Sequence, residues 1–108
     1  MDIDALESKA KQASELLAAM ANQKRLMILC QLLDGEKSVG ELVEQLGARQ
    51  STVSQHLTLL RKDKLVATRR VAQSQYYSLA GTEARAILKT IYRLYCSPAA
   101  QRRGKGGG

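Results

Sequence analysis

Hydrophobic residues recur with helical spacing along the first third of the chain. Between residues 4 and 20 they follow one another every three or four positions, with charged residues on the other faces, which predicts a first helix. Asn22 can cap a second helix that continues to about Leu33, because the following Asp34-Gly35 pair favours a helix end. The sequence therefore begins with two consecutive amphipathic helices.

A third and a fourth helix follow with a very short connection. Ser38 is followed three residues later by Glu41, which is the spacing of a capping box, and the apolar pattern then covers residues 39–46. Residues 47–49 (GAR) separate this helix from a fourth over residues 50–62. Two helices joined by a tight turn that contains glycine predict a helix-turn-helix.

After residue 64 the pattern changes to that of β-strands. Residues 65–71 and 75–79 are rich in β-branched and aromatic residues, and Ala72, Gln73 and Ser74 form a polar connection of hairpin length. This connection lacks the favoured Asn-Gly turn, so the sequence leaves the loop geometry open. The segment predicts a β-hairpin, the wing of a winged helix.

A last helix completes the predicted domain. Thr82 is expected to cap it, and its apolar residues keep a helical period until Pro98 ends it. The fold class is therefore mainly α with a β-hairpin wing, a winged helix-turn-helix in the order α-α-α-α-β-β-α. We expect residues 1–97 to form this domain, and residues 98–108, which are rich in glycine and basic residues, to be a disordered tail.

Charge is distributed unevenly along the 108 residues, which carry 17 Lys and Arg against 10 Asp and Glu. Residues 49–70 hold six basic residues and one acidic residue, whereas residues 1–48 hold five basic and eight acidic residues. The length allows one small domain and excludes a two-domain enzyme. The local positive charge indicates an anionic partner, and double-stranded DNA is the partner that suits a winged helix-turn-helix.

Polar side chains at the start of the fourth helix are placed as in a recognition helix, whose first turns meet base edges and phosphates. Gln55 is the best candidate to read a base, because its amide can form two hydrogen bonds with adenine. For His56 the alternative is a helix residue hydrogen-bonded to a neighbour. Polar and basic residues of the wing are expected to meet the DNA backbone or the minor groove. The predicted DNA-binding residues are Arg49, Gln50, Ser51, Thr52, Ser54, Gln55, His56, Arg61, Arg69, Arg70, Gln73 and Ser74.

The sequence lacks the residues that other classes of function need. Two cysteines do not make a secreted disulfide framework, and a single histidine cannot anchor a site of several imidazoles. The chain has neither a Cys-x-x-Cys motif nor a paired catalytic histidine, so we expect no enzymatic activity and no cofactor. Without a membrane span or a signal peptide at the N-terminus, a cytoplasmic location is expected.

Several motifs stand together in one order along the chain: residues 17–26 (LAAMANQKRL), 38–42 (SVGEL), 54–57 (SQHL) followed by Leu60-Arg61, and 76–79 (YYSL). Together they resemble the ArsR family of winged-helix repressors over about residues 10–97. The resemblance implies a homodimer joined through its first and last helices. It also implies a transcriptional repressor that binds an imperfect palindrome in double-stranded DNA.

The metal ligands that many members of this family use are missing. Members that sense metals through the third helix carry a Cys-x-Cys pair there, whereas residues 39–43 of this chain are VGELV. Members that sense through the last helix use Asp, His and Glu ligands, whereas here that helix offers Glu83 and no histidine. We therefore expect no metal site, and metal sensing is the least favoured function.

The cysteines resemble those of one subgroup of the family, that of the BigR, SqrR, YgaV and HlyU repressors. The resemblance rests on Cys30, Cys96 and the RLYC segment at residues 93–96. It implies that these thiols sense persulfides, polysulfides or thiol oxidants by forming a disulfide or polysulfide bridge that releases DNA. The alternatives are that Cys30 is a small core residue, and that the chain is a thiol-insensitive ArsR-type repressor or a structural DNA-binding protein.

Overall fold

A computed structural model describes residues 2–98 and contains five helices and three strands in that range. The predicted order of helices and the predicted hairpin are confirmed, and a short strand that the sequence pattern did not predict precedes the third helix. The predicted tail lies outside the described residues except for Pro98. The elements are α1 (Ile3–Met20), α2 (Gln23–Leu32), β1 (Lys37–Ser38), α3 (Val39–Leu46), α4 (Gln50–Lys62), β2 (Val66–Val71), β3 (Ser74–Leu79) and α5 (Thr82–Tyr95).

Side-chain caps define the starts of α2 and α3, as predicted. Asn22 Oδ1 accepts hydrogen bonds from the backbone N–H groups of Lys24 and Arg25. At α3 the capping box is complete: the Glu41 N–H donates to Ser38 Oγ over 3.1 Å, and the Ser38 N–H donates to Glu41 Oε1 over 3.0 Å. These bonds satisfy donors that the first turn of a helix leaves without a partner.

The predicted cap of α5 is wrong. Gly81 is the N-cap residue, with a φ of 89° that favours glycine, and Thr82 is the first residue inside the helix. The Thr82 hydroxyl donates to Glu83 Oε1 over 2.6 Å and does not cap the backbone. The helix ends at Tyr95, with Cys96 as its C-cap.

The wing is an antiparallel pair extended by β1 into a three-stranded sheet of order β1-β3-β2. The hairpin register runs from Val66 opposite Leu79 to Val71 opposite Ser74. Ser74, which the pattern placed in the connection, is therefore the first residue of β3. The turn consists of Ala72 and Gln73, and Ala72 has a left-handed φ of 55°, a conformation in which Asn and Gly are more usual.

The core forms around α2, which packs against α3, α4, α5 and β3. The side chains with at most 1% exposure come from these helices, and they are Ile28, Leu29, Leu32, Leu42, Val53, Leu57, Leu60, Ala84 and Leu88. The aliphatic core expected from a chain without Phe or Trp is thus present.

The first and last helices keep large apolar side chains in solvent. In α1, Ile3 is 70% exposed and Leu17 is 52% exposed, and Met20 is the buried residue of this helix. In α5, Tyr92 and Leu94 are each 51% exposed and Tyr95 is 75% exposed. A single chain therefore leaves apolar surface uncovered on the two helices that were expected to form a dimer interface.

Candidate DNA interface and dithiol site

Helix α4 separates an apolar face from a polar one. Val53, Leu57 and Leu60 are buried in the core, whereas Ser51 and Gln55 are exposed. Of the other candidate residues at this end of the helix, Arg49 and Gln50 are exposed, and Thr52, Ser54 and His56 are half-buried. Arg61 is exposed in the last turn. The structure thus places Ser51 and Gln55 on the exposed face of α4, whereas Thr52 and His56 lie at its boundary with α2.

The turn before α4 sets the angle between the two helices of the helix-turn-helix. Gly47 ends α3 in the left-handed conformation with a φ of 61°, and its N–H donates to the carbonyl of Val43. Arg49 is the N-cap residue of α4 and provides no side-chain hydrogen bond to the first turn. The N–H groups of that turn are therefore not capped by a side chain, and such groups attract phosphate.

His56 is half-buried at the boundary between α4 and α2. Its Nδ1 atom is buried and has no hydrogen-bond partner among the described residues. Together with Thr52 and Val53 it lines a cavity of about 30 Å³, whose opposite wall includes Met27 of α2 and Leu46 of α3. A small cavity thus separates part of α4 from α2 and α3.

The wing residues differ in their surroundings. Arg69 donates two hydrogen bonds of 2.7 Å to the carboxylate of Glu36, and its guanidinium lies 5.9 Å from the centre of the Tyr76 ring. These hydrogen bonds lower the pKa of the Glu36 carboxyl and raise that of the Arg69 guanidinium. The other candidates of the wing, Arg70, Gln73 and Ser74, are exposed. Arg69 is therefore already paired in the absence of DNA, although 63% of its side chain remains exposed.

Cys30 lies on α2 and Cys96 is the C-cap residue of α5, and both are free thiols. Cys30 is half-buried, whereas Cys96, at the C-terminal end of α5, is exposed. Burial raises the pKa of the Cys30 thiol, and the charge of the Cys96 thiolate raises it further. The influence of Cys96 on the pKa of Cys30, together with the two openings that both cysteines line, shows that the thiols are near each other.

The two openings at the thiols differ in character. The first is a groove of about 680 Å³, and it contains no charged side chain among the described residues; Leu26, Met27, Leu46, Ile91 and Tyr95 form its apolar walls. The second has a volume of about 440 Å³ and includes the charged residues Asp34 and Lys89. We name the first the apolar groove and the second the polar opening.

Two further observations concern the described residues 2–98. No group of three or more His, Cys, Asp and Glu side chains in this range is arranged to hold a metal ion. No helix in the same range is both long enough and apolar enough to cross a membrane.

Comparison with known proteins assigns this architecture. Residues 22–68, from the start of α2 through the first half of β2, match the family of bacterial regulatory proteins described as the arsR family. The chain is 50% identical over 96 residues to the transcriptional activator HlyU of Vibrio cholerae, and the aligned region covers 89% of each protein. The chain belongs to the ArsR family.

Solved structures of ArsR-family relatives share the fold over nearly their full length. Reduced HlyU from Vibrio cholerae superimposes with a TM-score of 0.84 at 49% identity and covers 88% of this chain and 100% of that one. The transcriptional repressor BigR from Xylella fastidiosa gives a TM-score of 0.80 at 36% identity, with 90% and 99% coverage. The chain accordingly has the winged-helix fold of a family of DNA-binding transcriptional regulators.

Sequence patterns missed some residues at both sites. Glu36 precedes Arg69 by 33 positions, and no periodicity connects them. Met27 and Leu46 line both the apolar groove beside the thiols and the small cavity beneath α4. This double role depends on the packing of α2 against α3 and cannot be seen in the sequence. Met27 is 43% exposed although it lies on a helix with a buried apolar face, and no sequence pattern predicts this exposure.

Proposed function

We propose that the protein is a homodimeric repressor that binds double-stranded DNA through α4 and the wing, and that releases the DNA when Cys30 and Cys96 become linked. The proposal that the protein senses thiol-reactive compounds rests on one observation: Cys30 of α2 and Cys96 at the end of α5 line the same two openings. A relative named a biofilm growth-associated repressor and a solved structure described as reduced HlyU support the repressor role and the thiol switch.

DNA recognition is assigned to the polar face of α4. Its N-terminal turns reach base edges in the major groove while Val53 and Leu57 hold the opposite face in the core. Gln55, exposed on that face, reads a base through its amide. The remaining polar residues contact phosphates or neighbouring bases, and they are Arg49, Gln50, Ser51, Thr52, Ser54, His56 and Arg61.

The wing contributes contacts to the DNA backbone or the minor groove. Arg70 and the turn residues Gln73 and Ser74 are exposed at the hairpin and carry these contacts. Arg69 belongs to the same surface, but its pairing with Glu36 competes with phosphate. Contacts of this kind position the protein and carry no sequence information directly.

Dimerisation follows from the uncovered faces of α1 and α5. Two copies that join these helices remove Leu17, Tyr92 and Leu94 from water, which favours association. A symmetric dimer presents two recognition helices to half-sites about 34 Å apart, so the operator is an imperfect palindrome. A homodimeric winged helix-turn-helix domain from Mycobacterium bovis, 27% identical with a TM-score of 0.73, supports this arrangement.

The thiols react in an order that follows from their surroundings. Cys96 is exposed and meets a persulfide, polysulfide or thiol oxidant first, and the half-buried Cys30 then displaces the leaving group. The two thiols together lose two protons and two electrons, which the oxidant accepts. The product is a disulfide, or a polysulfide bridge where sulfur atoms are retained.

The bridge acts on DNA binding through α2. It ties α2 to α5, the helix of the dimer interface, and Met27 stands one turn before Cys30 against the cavity beneath Thr52 and His56. A displacement of α2 therefore reaches the recognition helix. A preference of about 1 to 3 kcal/mol for a dimer geometry that no longer matches the half-site spacing lowers DNA affinity about 5- to 150-fold.

The test is DNA affinity by fluorescence anisotropy at one salt concentration, with a palindrome from the protein's own promoter. Reduced, polysulfide-treated and peroxide-treated protein are compared, and intact mass is measured on the same samples. We expect the treated protein to lose affinity, and Cys30→Ser and Cys96→Ser each to abolish the loss. Unchanged affinity with a completed bridge would leave a thiol-insensitive repressor, and absence of salt-dependent binding would overturn the DNA role itself.

A further inference from the structure

We infer that the first turn of α2 is a further DNA-contacting element, in which the Lys24 ammonium binds a phosphate at the edge of the major groove that α4 enters. The inference adds to the contacts proposed for α4 and the wing, and it rests on the proposed binding of DNA through α4. Lys24 is exposed, and it lines the cavity beneath the recognition helix together with Thr52 and His56. An exposed cation of α2 therefore stands beside the polar residues of α4.

The cap of α2 fixes the backbone at Lys24. Asn22 Oδ1 accepts hydrogen bonds of 3.0 Å and 3.1 Å from the N–H groups of Lys24 and Arg25, which hold the first turn of the helix in place. Ala48, in the turn before α4, lines the same cavity as Lys24 and Thr52. The first turn of α2 thus lies next to the turn and the first helical residues that a recognition helix presents to DNA.

The two adjacent basic residues of α2 have different surroundings. Arg25 is half-buried, and its Nη1 donates to the Ala19 carbonyl over 3.2 Å. The same side chain lines an opening that includes Glu15 and Asp63. By contrast, no acidic side chain is among the described residues that line the cavity at Lys24, and the Lys24 ammonium forms no hydrogen bond or ion pair in the described part of the chain. Lys24 is therefore available to an anion, whereas Arg25 is bound within the domain.

The dimensions of DNA make phosphate the group that Lys24 meets. An α-helix with its side chains is about 10 to 12 Å across and the major groove is about 12 Å wide, so a recognition helix fills the groove. An element beside that helix then meets the phosphodiester backbone that borders the groove. A lysine ammonium is a compact charge on a flexible stem, which suits binding to a phosphate. The contact adds affinity without adding sequence preference.

The experiment measures the DNA affinity of the reduced full-length protein by fluorescence anisotropy over a series of salt concentrations, with operator and scrambled duplexes. Lys24→Gln removes the charge, and Lys24→Arg keeps it. One phosphate contact contributes about 0.9 to the slope of log affinity against log salt concentration, so Lys24→Gln should make the slope of a dimer shallower by about 1.8. We expect the same fold loss of affinity on both duplexes and the wild-type slope in Lys24→Arg.

Two further variants serve as controls. Lys11→Gln removes an equal charge from the exposed surface of α1 and should change the slope by less than Lys24→Gln does. Gln55→Ala, on the exposed face of α4, should change the ratio of the affinities for the two duplexes, which Lys24→Gln should leave unchanged. The unfolding temperature and the molecular mass in solution are measured for each variant, so that only folded protein of the same oligomeric state is compared.

The outcomes separate this inference from the proposed function. If Lys24→Gln keeps the wild-type slope, or if Lys11→Gln makes the slope equally shallow, α2 does not contact phosphate even though the wild type binds the operator. A loss of affinity in Lys24→Gln that is confined to the operator would also overturn the inference, because it would indicate a base contact. Absence of salt-dependent binding by the wild type would refute the DNA role of α4 and this inference together.

Discussion

The ion pair between Glu36 and Arg69 leads to a prediction about DNA affinity. Arg69 donates both of its 2.7 Å hydrogen bonds to a carboxylate on the loop between α2 and β1, and the pair lies on the wing face assigned to DNA. In Glu36→Gln the carboxylate is lost and Arg69, already 63% exposed, becomes available to phosphate. We therefore expect Glu36→Gln to raise DNA affinity by more than the loss of one negative charge accounts for.

The size of the effect follows from counterion release. One phosphate contact contributes about 0.9 to the slope of log affinity against log salt concentration, and a dimer has two wings, so the slope steepens by about 1.8. The gain is therefore greatest at low salt and applies to operator and unrelated DNA alike, because phosphates carry no sequence information.

The assay is fluorescence anisotropy across a salt series with operator and scrambled duplexes. Glu44→Gln, on the exposed surface of α3, removes the same charge without freeing an arginine and is the matched control. Arg69→Gln introduced together with Glu36→Gln should erase the gain. If Glu36→Gln leaves the salt dependence of affinity unchanged, or if Glu36→Gln and Glu44→Gln give the same slope, Arg69 holds the wing in place and does not contact phosphate.

Three further predictions concern other parts of the chain. Leu57→Ala, at a fully buried position of α4, should lower the free energy of unfolding by about 2 to 5 kcal/mol in urea titrations, and a loss below that range would mean that the site collapses around the deletion. Gln55→Ala should reduce discrimination between operator and mutated duplexes, whereas Arg70→Gln should weaken binding to all duplexes equally; the reverse pattern would exchange their roles. The hydrogen bonds of Ser38 lower the pKa of Glu41, so this carboxylate stabilises the fold above the ordinary carboxyl pKa and loses that contribution as the pH falls through its lowered value. The difference in stability between wild type and Glu41→Gln should therefore shrink on acidification, and a constant difference would contradict the capping role.

Local patterns in the sequence were enough to predict most of the fold. The spacing of leucines on one helix face, the Ser38–Glu41 capping box and the change to β-branched residues after residue 64 each depend on neighbours within a few positions. Such signals act through backbone geometry, and tertiary contacts did not override them. The predictions failed at two residues with positive φ angles. Ala72 lies in a wing turn that is shorter than predicted, and Gly81, instead of Thr82, is the N-cap residue of α5.

The candidate site depended on tertiary structure to a greater degree. The sequence by itself determined which residue types are present: the polar face of α4, the basic segment and two cysteines 66 positions apart. Packing of α2 against α3 and α5 decided that the thiols share two openings, that one opening is apolar, and that Met27 connects it to the cavity beneath the recognition helix. Hydrophobic burial is non-directional, so a sequence pattern states which face of a helix is buried, whereas only the assembled core decides what that face meets.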